Sequence, residues 1–348
     1  MKRSIIKPAG MPVLLAALAL SACSNNSASV PLTGAMPQRF TTSAARWAAP
    51  PHPDRRPSWI SPRLAHAKSP VLFVSDSETA SVYIYDLSTL DVLATITGLS
   101  QPQGECSDSK GNVWITDANA QTIYEVSHQG GLENELSDSL GYPVGCAWDK
   151  TTGALAVMNI FGESGAPGAV LIFKGGSGLP TSYTNASQYN YYFGGYDAKG
   201  NLFFDGLDAG GNFMLSSLPK KAKSASTITL SGGTIYFPGM VQWDAARHGL
   251  IVGDQSCGNR YASCLYTLHI GRKRAMIAAT TELQNSSGGT VCDLVQGVEF
   301  GGQIAGSDND FCGSLPSATY LWPYPAGGAP TLYNNSTDET PVGAAVSL

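Results

Sequence analysis

The stretch that decides the fold is QPQGECSDSKGNVWITDANAQTIYEVS, residues 101 to 127. In NVWITD and TIYEVS apolar side chains fall at every second position, the pattern of half-buried strands. Between the first and second strands, DSKGN supplies the Asp and Gly of a tight turn. The unit is therefore a glycine-bearing first strand, an Asp-led turn, a second strand ending on an acid, and a third strand after a short loop.

Working outward, the same order recurs. Its opening glycine can be followed through PQGECSD (Gly104), PVGCAWD (Gly145), FGGYD (Gly195), FPGMVQWD (Gly239), VQGVEF (Gly297) and PVGAAVSL (Gly343), at intervals of 41, 50, 44, 58 and 46 residues. A spacing that accommodates about four strands per copy is the signature of propeller blades, with loop insertions accounting for the unequal intervals. Asp108, Asp149, Asp197 and Asp244 lead the turns that follow. Conversely, SPVLFVSDSETASVYIYDLSTLDVLATITG (69 to 98) begins at a second strand and lacks a first. GAAVSL, residues 343 to 348, is the strand it needs. Pairing the two would close the ring and leave no free sheet edge at the join. The expectation is an all-β, six-bladed β-propeller of four-stranded antiparallel blades over residues 69 to 348, closed by the C-terminal strand completing the first blade.

Composition agrees with a turn-rich β chain: 39 Gly and 21 Pro among 348 residues, with only 14% charged. A formal net charge of −5 gives no reason to expect nucleic acid as a partner. Lys2, Arg3 and Lys7 precede an apolar run, Met11 to Leu20, that is too short to span a membrane and reads as a secretory leader. Leu20-Ser21-Ala22-Cys23 resembles the bacterial lipobox. That resemblance implies a signal peptide over 1–22, lipidation at Cys23, and a protein anchored through its lipid to the bacterial envelope. Ser24 after the cysteine implies sorting to the outer membrane, facing periplasm or cell surface. Residues 23 to 68, rich in Ser, Ala and Pro, read as the lipidated cysteine and a disordered tether.

Beyond Cys23, six cysteines remain, an even number that suits disulfides in an exported chain. Cys257 and Cys264 flank one loop, Cys292 and Cys312 fall around the last blade, and Cys106 and Cys146 lie on neighbouring first strands one register apart. No CxxC and no paired His points to a zinc site.

YIYDLSTLDVLATITGLSQPQGECSDSKGNVWITDANAQTIYEV (83 to 126) resembles the repeat of NHL-type and related six-bladed propellers, the group that includes gluconolactonases. This fold hosts lactonases, lyases and pure binding modules alike. The gluconolactonase branch implies a divalent cation, calcium or another, held in the central channel by a Glu with Asn or Asp ligands, here Glu105 or Glu299. Yet GCAWD, GMVQWD and GAAVSL bring apolar residues where further ligands would stand. A divalent-metal lactonase or hydrolase is therefore the second reading, behind a scaffold that binds an unidentified protein, peptide or glycan without a cofactor.

In such a meander, the segments leading into first strands and the loops between second and third strands share one face. Three of those loops are long, NIFGESGAPG (159–168), DQSCGNRYASC (254–264) and DNDFCGSLPSA (308–318). Two lead-in segments are long as well, NASQYNYYFGG (185–195) and LQNSSGGTVCDLVQG (283–297). Elaboration on one side of a rigid scaffold points to a binding face. Its candidates are Gln103, Glu105, Asp293, Gln296 and Glu299 near the channel, with Tyr142, Tyr191 and Tyr192, whose rings suit sugars or peptides unless they belong to the core. Asn159, Asp254 and Asp308 close second strands, as Asp76, Asp117 and Asp205 do. They read either as a carboxylate ring for a cation or, preferably, as caps that accept backbone N–H groups.

Overall fold

The computed structural model describes residues 58–67, 70–309, 316–335 and 339–348. The expected leader, Cys23 and most of the expected tether lie outside the described residues. Among the described residues no helix is long and apolar enough to cross a membrane.

Nearly every element is a strand, and consecutive strands form antiparallel meanders. Pro102–Ser107, Val113–Asp117, Thr122–Val126 and Leu132–Ser137 form one four-stranded sheet, and Gly141–Asp149, Ala154–Gly162, Pro167–Phe173 and Thr181–Tyr183 form the next. Leu294–Phe300, Gln303–Asp308, Ala318–Pro323 and Leu332–Asn334 form another. Two further meanders, Asn190–Tyr196 through Ser226–Ser231 and Pro238–Asp244 through Arg274–Glu282, merge into one eight-stranded sheet. They merge because their outermost strands pair in parallel, Thr229 to Arg274 and Ser231 to Met276. An outer strand has an unpaired edge, and here two such edges satisfy one another instead of facing water. The expected six separate sheets are thus five.

Chain closure occurs where the sequence placed it. Ala345–Ser347 pairs with Val71–Asp76 in the register Val71 to Ser347 and Phe73 to Ala345. Side chains reinforce the join: Ser107 Oγ donates to the Val346 carbonyl at 2.5 Å, and Ser347 Oγ donates to the Gly111 carbonyl. The remaining strands of this sheet are Ser81–Asp86 and Val92–Ile96, and Trp59–Ile60 pairs with the latter as a fifth, outermost strand. A one-turn helix, Pro62–Ala65, follows and buries Leu64 completely. Residues 58 to 67 are therefore docked on the ring, and the expectation of a disordered tether running to residue 68 does not hold for them. The apolar side chain of Leu64, which caps the Val71, Ile84 and Val113 cluster, explains the docking.

The first strands of successive meanders are neighbours in order around an axis, from Pro102–Ser107 to Gly141–Asp149, Asn190–Tyr196, Pro238–Asp244, Leu294–Phe300, Ala345–Ser347 and back. This is the arrangement of a propeller. The repeat glycines owe their identity to the crowding of these strands. A Cβ on Gly104 would lie 2.5 Å from the Val144 carbonyl, one on Gly145 would strike the Tyr192 carbonyl, and one on Gly195 would lie 2.7 Å from the Val241 carbonyl. One on Gly343 would collide with the Gln103 carbonyl. Only a residue without a side chain fits where one backbone touches the next.

Candidate functional site

The acids and amides that end the second strands build the looped face, because they hold its lead-in segments in place. Asp76 Oδ2 accepts from the amides of Glu339 and Thr340 at 2.6 and 3.1 Å, while its Oδ1 accepts from Glu78 and Thr79 in its own hairpin. Asp117 takes the amides of Ser100 and Gln101, Asp254 those of Tyr236 and Phe237, and Asp308 those of Cys292 and Asp293. Asp205 reaches farther, accepting from Phe193 in its own sheet at 2.9 Å and from Gly239 in the following meander at 3.1 Å. Burial raises the pKa of Asp76, Asp117, Asp205 and Asp254, and these backbone donors pull it back. Asn159 departs from the pattern: its amide nitrogen donates to Asp138 Oδ1 at 3.2 Å. Burial pushes the Asp138 carboxyl up to about 6. The capping reading of these residues is what the hydrogen bonds display, except that they tie the lead-in segments as well as the hairpins.

Near the axis, the residues expected to meet a ligand are mostly spoken for. Gln296 crosses to the Pro102–Ser107 strand, its Oε1 accepting from the Glu105 amide at 2.9 Å and its Nε2 donating to the Glu105 carbonyl at 2.7 Å. Gln242 treats Glu299 identically, at 2.7 and 2.9 Å. A first strand leaves its inner edge unpaired, and each glutamine amide acts as a substitute strand for one residue of that edge. Gln296 is therefore a clamp between strands, not a group presented to solvent. Asp293 is buried beside Asp308.

Glu105 and Gln103 stand apart. Both are buried, and neither side chain has a hydrogen-bond partner among the described residues. Desolvation raises the Glu105 pKa well above the usual carboxylate range and outweighs the Ala345 amide, which lowers it without meeting hydrogen-bond geometry. Glu299 does not join it. Gly297, not Glu299, occupies the register position of Glu105, since each faces the residue two before its strand-end acid. Glu299 lies two residues beyond, toward the opposite face, where its Oε1 accepts from Gly302 in the adjoining turn at 3.0 Å. Among the described residues no three His, Cys, Asp or Glu side chains converge as a metal would require. The residues do not fit the divalent site that the resemblance implies.

The aromatics divide. Tyr191 and Tyr192 are core residues. The Tyr191 hydroxyl accepts from the Asn185 amide at 2.8 Å and its ring stacks on Phe204, while Tyr192 meets Phe237 edge-on at 5.8 Å. Alternation on a first strand buried on both sides sends both rings inward, so they offer nothing to a glycan. Tyr142 is half-buried on the looped face, near Phe161 and Glu163. The same face exposes three residues that the sequence did not single out: Leu140 at 49%, Tyr236 at 39% and Tyr261 at 63%. Tyr189 joins them, its hydroxyl donating to the Gly165 carbonyl at 2.8 Å and its ring edge-on to Phe161. Tyr261 was legible only as a member of the long loop 254–264, and no segment singled out in the sequence contains Tyr236.

Two disulfides stiffen this assembly. Cys106–Cys146 joins adjacent first strands with Cα atoms 5.6 Å apart, and Cys257–Cys264 closes the base of the loop that carries Tyr261. Cys292 is also disulfide-bonded, and Cys312 lies outside the described residues.

On the opposite face a slot of about 380 Å³ opens between two neighbouring meanders. Asp149, Tyr183, Tyr196 and Lys220 line it, with an apolar floor that includes Leu202 and Leu218. Nothing local in the sequence marks it, since its walls come from five separate segments.

Solved structures share this architecture. A chain of a nidogen/laminin complex superposes with a TM-score of 0.60 at 13% identity, covering 80% of this chain and 99% of that one. A protein of unknown function from Bacteroides caccae superposes with a TM-score of 0.60 at 11% identity, over 80% and 99% of the two chains. A chain of hydrazine synthase from Kuenenia stuttgartiensis gives 0.51 at 12%, over 79% and 77%. No family model matches the sequence, and no curated protein matches it. At these identities the likeness carries the fold alone, and the fold is a β-propeller.

Proposed function

We propose that the protein is an interaction scaffold: a six-bladed propeller of the NHL-like kind, exported, lipidated at Cys23 and tethered to the bacterial envelope, that binds a protein, peptide or glycan through its looped face. On this reading the merged eight-stranded sheet counts as two blades bridged at their rims. The observation that carries the proposal is the exposed group Leu140, Tyr236 and Tyr261, held on disulfide-braced and Asp-anchored backbone. Tyrosine presents a flat apolar ring and a hydroxyl at low entropic cost, the chemistry of interface anchors. A propeller chain similar to this one was solved within a nidogen/laminin complex, so the fold can serve an assembly of proteins.

The test is site-directed photo-crosslinking of the full chain in its native host. A photoreactive residue at Tyr236 or Tyr261 should yield one dominant adduct, and the same residue at Lys199, in a turn on the opposite face, should not. Adducts absent from both sites, or equal from both faces, would refute the assignment. Separately, Cys23→Ala should move the protein from the membrane fraction to the soluble one.

A further inference from the structure

We infer that the slot on the face opposite the long loops binds a small organic anion, a carboxylate or sulfonate on a flat aromatic body. The slot lies between the Gly141–Tyr183 sheet and the meander that follows it. Its volume of about 380 Å³ sits within the range of small-molecule sites, roughly 300 to 1,000 Å³. The floor is the outer end of the core cluster formed by Ala156, Val170 and Leu218, so a ligand entering it meets hydrocarbon. An apolar body is stabilised on leaving water for such a floor.

The rim decides the sign of the charge. Lys174, Lys220 and Lys221 are exposed there, and none pairs with a carboxylate among the described residues. Lys220 Nζ is held by Thr151 Oγ1 at 2.8 Å, which aims it across the opening. Asp149, the one acid that lines the slot, has both oxygens committed as acceptors within its own turn. Its Oδ1 takes the Thr151 amide and hydroxyl at 2.8 and 2.7 Å, and its Oδ2 takes the Thr152 hydroxyl at 2.5 Å. Three lysines against one acid give the lining a net positive charge.

Two donors complete the site. Tyr183 and Tyr196 line the slot, and neither hydroxyl has a hydrogen-bond partner among the described residues. Burial beside Asp149 keeps the Tyr196 phenol protonated, so it can donate to an anionic head. The backbone is also shaped for this geometry. Gly200, at φ +79°, would place a Cβ 2.6 Å from Thr151 Oγ1 and 3.2 Å from Lys220 Cδ, so a larger residue would displace the rim lysine. Lys221 holds the left-handed conformation at φ +70°, uncommon for a lysine and found more often where function demands it.

The experiment is fluorescence titration of the full chain with 8-anilinonaphthalene-1-sulfonate and with its uncharged analogue N-phenyl-1-naphthylamine, repeated on two variants. Saturable one-to-one binding of the sulfonate is expected. Lys174→Glu combined with Lys221→Glu, both at exposed positions, should weaken the sulfonate at least tenfold and change the neutral probe by less than twofold. Ala222→Trp, which fills the slot, should abolish both. Absence of saturable sulfonate binding, equal losses of both probes in the charge variant, or undiminished binding by a folded Ala222→Trp protein would each overturn the assignment. Should that variant fail to fold, the charge variant alone decides.

Discussion

Glu105 is a carboxyl enclosed among neighbouring strands with no donor committed to either oxygen, and that has a measurable consequence. Its folded pKa is raised above the unfolded value, so between the two the folded state binds more protons than the unfolded one. Stability from this group is present below the unfolded pKa, near 4, and is lost as pH rises toward the folded one, by at most about 1.4 kcal/mol per pH unit. Glu105→Gln removes the titration while keeping the shape. The variant should match the native protein in urea at pH 4 and exceed it by an amount that grows between pH 4.5 and 7. A constant difference across that range would show that Glu105 is not the source. Asp205 is equally buried but differs in kind, because two backbone amides require it as an acceptor. The sequence presented both as acids at repeat positions. Which one serves the fold depends on donors 12 and 34 residues away, Phe193 and Gly239, and no local pattern reveals them.

At the scale of strands, the alternation of NVWITD and the Asp-Gly turns were enough to place the elements, because a half-buried strand needs both. Register was not legible to the same degree. Gly145 faces Met158, one residue before Asn159, whereas Gly195 faces Phe203, two before Asp205. Irregularities between Pro102 and Glu105, Tyr191 and Gly194, and Leu294 and Gly297 displace the count by a residue, as bulges do. The Pro102–Glu105 and Leu294–Gly297 irregularities are alike, so counting from Asp117 and Asp308 matches Glu105 with Gly297 and leaves Glu299 two residues beyond. The cysteines fared better, because a one-register offset on adjacent first strands is a geometric statement. Cys106–Cys146 spans 40 residues, and removing such a crosslink frees unfolded-chain entropy worth roughly 2 to 4 kcal/mol. Cys106→Ala with Cys146→Ala should lower the unfolding free energy by about that much. A reducing agent should destabilise the double variant less than it does the native protein. If reductant affects the two equally, this disulfide contributes nothing to stability.

For the whole molecule, the ring was legible because one strand is missing at the start of the repeat and one is spare at the end. The merging of two meanders at their rims was not, since it depends on three residues of parallel pairing between strands over 40 residues apart. Nor was the slot, whose walls are contributed by Asp149, Lys174, Tyr183, Tyr196 and Lys220 from separate segments of the chain. Closure is the property that makes these parts one object, and Gly343 is where it can be tested. Its position is fixed by contact with Ser75 and the Gln103 carbonyl, and Val342 donates to the Ser75 carbonyl at 2.9 Å beside it. Gly343→Val drives a branched side chain into backbone that cannot move without parting two sheets. The Ala345–Ser347 strand must then leave Val71–Asp76, exposing an apolar edge that is buried along its whole length. The expected outcome is loss of cooperative unfolding together with concentration-dependent association in gel filtration. Gly271→Val is the control: a Cβ there meets only the Arg274 carbonyl, at 3.4 Å, in an exposed turn. It should unfold like the native protein. If Gly343→Val also unfolds like the native protein and remains a monomer, the ring does not depend on its C-terminal strand for stability, and the closing strand is an ornament on an open arc.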